Sequence, residues 1–326
     1  MQRGFLVVVA LLALSCALFI FNLDSSITTP MDPRETTSSY PWAWIRVNST
    51  EVPRMAYMLY ATDARTVCNA IIMAHNIRKM GTPTSIPIVT LVSWSVAHDV
   101  IQRLRDAQIE AIPVEPWTQT HANHPNEWTE SLTKLRIFQE RGYDKIIYLD
   151  SDAWVHRNLD HLFALGDAPL WAPHAYYFSP QYVFASTLLV FSPSNRLFHD
   201  MERAVANPTR PDPDYYDMDV LNDSFKLDCG YLPNHYVVLS YTLIEPTKWS
   251  FGSKEERFAK TYVTHFSPGA GVGKPWNTPR DAFHGQQGDY LLVKALYEAY
   301  WHAEDELCPW FQSQQVSSRQ DNFTMT

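Results

Sequence analysis

Cysteine is scarce in this chain: 4 in 326 residues. Cys16 sits inside an apolar run near the start, so Cys68, Cys229 and Cys308 are left in the body. At most one intramolecular disulfide can form among them, with one thiol left over. That excludes a disulfide-stapled scaffold, and no pair has the spacing of a structural zinc site. A surplus of positive charge is missing too. The 26 Lys and Arg against 35 Asp and Glu give a formal charge of −9. A nucleic-acid surface wants a basic stripe, so that class of partner is set aside. An anionic small molecule stays compatible if a metal ion or a few local cations receive it. No internal repeat is visible. Apolar material is plentiful, at 46% hydrophobic and 13% aromatic, enough for a sizeable core in one large domain or two small ones.

Residues 4–23, "GFLVVVALLALSCALFIFNL", carry no charge. A helix needs about 20 apolar residues to cross a bilayer. Arg3 precedes the run and Asp24 follows it, so the positive-inside rule expects the N-terminus in the cytosol and the body across the membrane. A cleaved signal peptide is the rival reading, although its apolar region is usually shorter. Residues 24–53 are rich in Ser, Thr and Pro and read as a stem. The expected layout is a cytosolic tail at 1–3, an anchor at 4–23, the stem, a folded domain at 54–310 and a mobile tail at 311–326. The sequons at Asn48, Asn222 and Asn322 agree with a luminal body.

From Met55 the pattern becomes regular. "MAYMLYA", "IPIVTLVS", "IEAIPV" and "KIIYLD" read as buried strands. Between them, residues 65–80 place Val67, Ala70, Ile71, Ala74 and Ile77 at helical spacing, with Gly81 as the stop. Residues 96–107 are amphipathic, and 130–140 read as a third helix. This alternation predicts an α/β fold, a doubly wound, mostly parallel sheet. The second half is less regular, with strands near 169–173, 183–191 and 261–266 and helices near 194–206, 216–225 and 286–303.

In "KIIYLDSDAW" an apolar strand core ends in Asp150-Ser151-Asp152. Ligands of open α/β sheets bind beyond the carboxyl ends of the strands. If the strand continues, both carboxylates point the same way, repel each other and want a cation. Hard oxygen ligands suit Mg²⁺, Ca²⁺ or Mn²⁺, which can grip a diphosphate. The bland alternative is a solvated turn capping the following "NLDHLF". A haloacid-dehalogenase-type phosphatase also places Asp-x-Asp after a hydrophobic strand, with the first Asp as nucleophile. In that family the motif normally lies on the first strand, whereas here about a hundred residues of α/β pattern precede it.

Four blocks, in order, resemble the family 8 glycosyltransferases, of which glycogenin is a member. They are "YATDARTVCNAIIMAHNIRKMG", "SLTKLRIFQERGYDKIIYLDSDAWVHRNLDHLF", "DYYDMDVLN" and "HFSPGAGVGKPW". The resemblance implies a GT-A type fold, Rossmann-like, with an irregular acceptor-side half. It implies retaining transfer of a hexosyl or N-acetylhexosaminyl group from a UDP-sugar to a glycan or other hydroxyl acceptor, with Mn²⁺ or Mg²⁺. Asp150, Asp152 and His265 match the metal ligands. Tyr60, Thr62 and Asp63 match positions that hold the uridine. Lys134 and Ser151 match donor-side positions, and Gly271 and Lys274 approach the diphosphate. Asp217 stands beside the transferred sugar, and with Lys274 it is the catalytic candidate: a double displacement would use Asp217 as the carboxylate nucleophile, whereas front-face attack needs none and leaves it to orient the sugar. With the anchored topology, the likeness extends to Golgi N-acetylglucosaminyltransferases, as single-pass type II membrane proteins.

The sequence also departs from that family. Its Gln after the acid of the third block is Met218, its Asn-Ser-Gly is Ala185-Ser186-Thr187, and the loop from His265 to Lys274 is longer than glycogenin's. Asp217 has a plain alternative as a helix N-cap, Lys134 as a solvated lysine, and the aromatic stretch "AYYF" as core packing. A membrane-anchored sugar-binding protein without activity is the non-enzymatic reading. It would be expected to have lost one of Asp150, Asp152, His265 and Lys274, and all four are present.

Overall fold

The four apolar runs form the parallel part of one sheet: β1 (Met55–Ala61), β2 (Ile88–Ser93), β3 (Glu110–Val114) and β4 (Lys145–Leu149). They lie in the order β3-β2-β1-β4 and all pair in parallel. β2 is buried throughout, and β1 and β4 nearly so, as a sheet covered on both faces requires. The edge strand β3 is half exposed and carries Glu110 and Pro113, which discourage further pairing. In this computed structural model the described residues are 53–117, 130–166, 168–178, 183–209, 215–244, 253–286 and 288–311.

Helix α1 (Ala64–Lys79) buries the five residues expected from their spacing. Asp63 caps it: its carboxylate accepts from Thr66 N–H, and the Thr66 hydroxyl accepts from Asp63 N–H, a reciprocal box. Gly81, at φ +96°, stops it in the left-handed region glycine tolerates. Helix α2 (His98–Asp106) buries Val100, Ile101 and Leu104. The third expected helix is instead a 3₁₀ helix, Ser131–Phe138. Seven of its eight residues are buried.

Beyond β4 the sheet becomes mixed. β6 (Trp171–Pro173), β7 (Leu188–Phe191) and β8 (Gly230–Leu232) complete seven strands in the order β3-β2-β1-β4-β7-β6-β8. β7 runs antiparallel to both β4 and β6. A second sheet holds β5 (Ala153–Val155), β9 (Val237–Leu239) and β10 (Val263–His265), in the order β5-β10-β9. Helices α3 (Asn195–Ala206), α4 (Asp217–Phe225), α5 (Lys254–Lys260) and α6 (Leu291–Leu307) complete the described α-helices, and short 3₁₀ turns lie between the elements. The main core joins β1, β2, β4 and β7 to the 3₁₀ helix, α3 and α4 through Phe138, Phe191, Phe198 and Phe225.

Cys68 and Cys308 form a disulfide between α1 and the end of α6, and Cys229 is a free, half-buried thiol. The chain is still packed at Phe311, whose ring lies 4.0 Å beneath the Arg65 guanidinium, one residue into the stretch expected to be mobile. The sequon at Asn222 is corrected. Its side chain is buried, accepts from Phe184 N–H, and donates to the carbonyls of Phe184 and Met218. An amide nitrogen used this way inside the core cannot carry a glycan. The run 4–23, Asn48, Asn322 and residues 312–326 lie outside the described residues. Among the described residues no helix is long and apolar enough to cross a membrane.

Candidate active site

The Asp-Ser-Asp segment does not continue a strand. β4 ends at Leu149 and β5 begins at Ala153, so Asp150–Asp152 is the step from the large sheet to the small one. Each acid is tied to a different strand end. Asp150 N–H donates to Thr187 C=O beside β7, and Phe266 N–H donates to Asp152 C=O just past β10, each at 2.9 Å. Ser151, between them, is buried. The acids do not cap the short helix that follows. That turn begins after Leu159, and its own Asp160 is buried, accepting from the Tyr57 and Thr82 hydroxyls.

Register explains how His265 arrives. β10 pairs antiparallel with β5, His265 opposite Ala153, so its imidazole lands beside Asp152. His265 Nε2 lies 3.2 Å from Asp152 Oδ1, and Lys274 Nζ lies 2.9 Å from Asp152 Oδ2. Burial alone would raise the Asp152 carboxyl, but His265 and Lys274 outweigh it and hold the group well below the usual carboxylate range. One ligand atom each from Asp150, Asp152 and His265 falls within 4.8 Å of the others. Two carboxylate oxygens and an imidazole form a donor set that suits Mn²⁺ or Mg²⁺. The other imidazole nitrogen, Nδ1, is 2.7 Å from the Ser267 hydroxyl.

The Asp150 side is closed. Lys134 Nζ lies 2.8 Å from Asp150 Oδ1, 2.9 Å from Asp217 Oδ2 and 2.9 Å from Ser186 Oγ. The Ser186 hydroxyl donates to Asp217 at 2.8 Å, and the Tyr148 hydroxyl donates to Asp150 at 2.6 Å. Lys134 is 2% exposed, so it is no solvated lysine. Burial works against its charge, yet Asp150 and Asp217 outweigh burial and hold the ammonium above its ordinary value. Asp217 is the first residue of α4, with Tyr216 at the N-cap, so the capping alternative does not describe it. Burial first, then Asp150, Asp217, Asp152 and Asp63, push the Tyr60 hydroxyl well above its usual value. It therefore stays protonated, available as a donor.

The remaining expected residues scatter around this centre. Thr62 and Asp63 follow β1 at the same rim. The Thr62 carbonyl accepts from Ser95, while Asp63 is the exposed cap of α1. Gly271 stands at the tip of a tight turn. Gly269 and Val272 exchange two backbone hydrogen bonds across Ala270 (φ +51°) and Gly271 (φ +77°), the two left-handed residues of a type I′ turn. A Cβ on Gly271 would meet nothing within 4 Å. From this loop, Lys274 is what reaches the acids. The segment "AYYF" is divided: Phe178 is exposed, whereas the Tyr177 hydroxyl donates to the Met218 sulfur at 3.9 Å.

Tyr148, Ser186 and Ser267 also belong to the site: each lies in a segment quoted for the resemblance or its departures, yet the motifs assign none of them a role. Tyr148 looks like one more apolar strand residue. Ser186 meets Lys134 only because β7 pairs with β4, Leu188 opposite Leu149. Three carboxylates then face two ammonium groups, leaving a negative remainder at the carboxyl end of β4.

No protein-family model matches the chain. It is similar to glucose N-acetyltransferase 1 of Aspergillus fumigatus, 26% identical over 74% of this chain and 70% of that protein. It is similar to galactinol synthase 4 of Arabidopsis thaliana, 25% identical over 76% of this chain and 80% of that one. It spans 53% and 32% of two further relatives that share the first name. Among solved structures, galactosyltransferase LgtC in complex with donor and acceptor sugar analogs matches with a TM-score of 0.54 and 20% identity. That match covers 75% of this chain and 96% of the other, a likeness of fold.

Proposed function

We propose, from the premise that this chain is a family 8-like glycosyltransferase with a GT-A type fold, that it moves a hexosyl or N-acetylhexosaminyl group from a UDP-sugar to a glycan or other hydroxyl acceptor. The donor sugar is N-acetylglucosamine, glucose or galactose. The observation that carries the reading is the meeting of Asp150, Asp152 and His265, with Lys274 on the same acid, where β4 hands over to the second sheet.

A divalent ion, Mn²⁺ or Mg²⁺, held by Asp150, Asp152 and His265 would supply Lewis-acid neutralisation of the departing diphosphate. The other roles belong to the chain. Lys274 places a point charge on the diphosphate oxygens once they draw it from Asp152. Tyr60, Thr62 and Asp63, at the end of β1, receive the uridine. Lys134 and Ser186 hold Asp217 in one orientation beside the sugar. Asp217 is engaged by an ammonium and a hydroxyl, which blunts it as a nucleophile and supports an orienting role. Transfer is then a front-face exchange. The bond from the anomeric carbon to the phosphate oxygen breaks, the bond to the acceptor oxygen forms on the same face, and the acceptor proton passes to the phosphate. Configuration is retained.

The phosphatase reading has less support. Its nucleophile would be Asp150, which is already bound by Lys134 and Tyr148 and follows the fourth strand. The Cys68–Cys308 disulfide favours an oxidising compartment, and the uncharged run 4–23 favours a membrane anchor. Together they support a type II protein with its body in the Golgi lumen.

The test is a screen of UDP-sugars for slow hydrolysis by the full-length chain, with Mn²⁺ and with chelator. Release of UDP from one donor, abolished by chelation, is expected. Failure to turn over or bind any UDP-sugar, with phosphomonoesters hydrolysed instead, would overturn the proposal in favour of the phosphatase.

A further inference from the structure

His265 is held from behind as well as in front. It ends β10, and the parallel pairing with β9 sets it opposite Leu239. The next residue, Ser240, therefore arrives beside Ser267. Ser240 is fully buried. Its hydroxyl accepts from Ser267 N–H and donates to Ser267 C=O, each at 3.1 Å. Ser267 N–H also lies 3.0 Å from the His265 carbonyl. The Ser267 backbone is thereby fixed, and its Oγ stands 2.7 Å from His265 Nδ1 while Nε2 faces Asp152 at 3.2 Å.

A neutral imidazole offers a lone pair on one nitrogen and a proton on the other. Nε2 faces the acids, so it can serve a cation only with the proton on Nδ1, and that proton needs an acceptor. A serine hydroxyl is both donor and acceptor. Without a cation it can donate to Nδ1 while Nε2–H points at Asp152. With one, it turns and accepts from Nδ1–H. The proton changes nitrogen, the hydroxyl reverses, and no net proton is gained or lost.

We propose that Ser267, clamped by Ser240, is the positioning residue that makes His265 a metal ligand, by accepting the Nδ1 proton and fixing the plane of the ring. This inference rests on the metal-binding part of the function proposed above. Partners of metal-bound histidines typically govern about 10–100-fold in affinity.

The test is calorimetric titration of Mn²⁺ into the full-length chain with UDP present. Ser267→Ala is expected to weaken Mn²⁺ binding about 10–100-fold, and Ser267→Thr, which keeps the hydroxyl, to restore it to within about threefold. Nitrogen-15 shifts of the histidine rings in the wild type, loaded with diamagnetic Mg²⁺ and UDP, supply a readout that needs no variant. They should show the His265 proton on Nδ1. Wild-type affinity in Ser267→Ala, or a loaded His265 protonated on Nε2, would overturn this inference alone. A wild type that binds neither Mn²⁺ nor Mg²⁺ with UDP would overturn the metal reading beneath it.

Discussion

Asp150 and Asp152 stand one residue apart, yet they belong to two regions that treat charge differently. Asp150 faces Lys134, whose side chain is 3% exposed, and through it Asp217; the two acids are 13% and 14% exposed. Asp152 faces His265 and Lys274, at 21% and 15%, and is itself 20% exposed. The first set is anchored in the large sheet and in a 3₁₀ helix enclosed by core. The second hangs on three-residue strands and a loop. The difference separates permanent from exchangeable counter-charge. Lys134 is a built-in cation whose desolvation is already offset by two carboxylates and a hydroxyl. In the proposed function Lys274 and His265 would let go of Asp152 as a metal ion and a diphosphate arrive, since both are partly open to water.

The sharpest way to break that contrast is to remove one cation from each side. Lys134→Met leaves Asp150 and Asp217 facing each other with no ammonium between them, and breaking a buried pair this way costs about 3–5 kcal/mol. Lys274→Met removes a partly solvated partner and should cost about 1 kcal/mol or less. Denaturant unfolding of the two variants measures both. Equal losses would mean that the two regions are not distinct.

Acid should strike the small-sheet side first. His156, just past β5, bonds to Thr264 of β10 at 2.8 Å. Burial, with a contribution from Arg157, lowers its pKa from 6.5 to about 4. A base depressed in the folded state contributes stability that is full above its unfolded value and lost as pH falls toward its folded one. Stability should therefore decline between about pH 6.5 and 4, by up to roughly 3 kcal/mol. His156→Gln should flatten that decline. Lys134, raised in the folded state, loses its contribution only above its ordinary value, near pH 10.5. Asp152, depressed, loses its own only below about pH 4. A pH–stability curve that His156→Gln leaves unchanged would locate the acid-sensitive step elsewhere.

The same contrast decides what the sequence discloses. The large-sheet side was legible because its strands are long and its helices periodic: β1, β2, β4 and α1 follow directly from apolar spacing. The acids, His265, Lys134 and Lys274 stand out as charged groups at strand ends or in matching blocks. The small sheet was largely illegible. Of its three strands, β5 and β9 give no signal and β10 only a rough one; β8 of the large sheet, also three residues long, gives none either. Strands of three residues carry no periodicity, and pairing partners such as Val237 and Val263 are far apart in the chain. Ser186 stands in the departing Ala185-Ser186-Thr187 without a visible role, because its partner Lys134 is 52 residues away; Ser267 is only two residues from His265, but a serine in a loop carries no pattern that marks it as a ring partner. The sequon at Asn222 misled in the opposite direction. A surface signal in sequence became a core hydrogen-bonding residue because helix α4 turns it against Phe184.

A ligand-side comparison comes next in size. Asp152→Ala removes the carboxylate that His265 and Lys274 share. It should leave unfolding stability within about 1 kcal/mol, because both partners remain accessible to water. Mn²⁺-dependent UDP affinity should fall on the order of 100-fold, equivalent to about 2.7 kcal/mol. Calorimetry with and without Mn²⁺ separates the two effects. UDP affinity unchanged by the substitution would remove the acid from the site.

The smallest expected effect tests whether the closed side also supports its acid by hydrogen bonding alone. The Tyr148 hydroxyl donates to Asp150 Oδ1 at 2.6 Å, and the ring lies under Lys134 at 5.1 Å. Burial, and then Asp150, hold that hydroxyl well above its ordinary pKa, so it remains a donor across the neutral range. Tyr148→Phe keeps the ring and deletes the donor. Asp150 retains Lys134, so the loss should be that of one charge-assisted hydrogen bond with its partner still satisfied, about 1–2 kcal/mol. Part of it should appear in stability, and the remainder as an affinity for Mn²⁺ and UDP weakened about threefold to fivefold. A loss of affinity as large as that of Asp152→Ala would show that fixed and exchangeable charge are not divided between the two aspartates, and that the pair responds as a single unit.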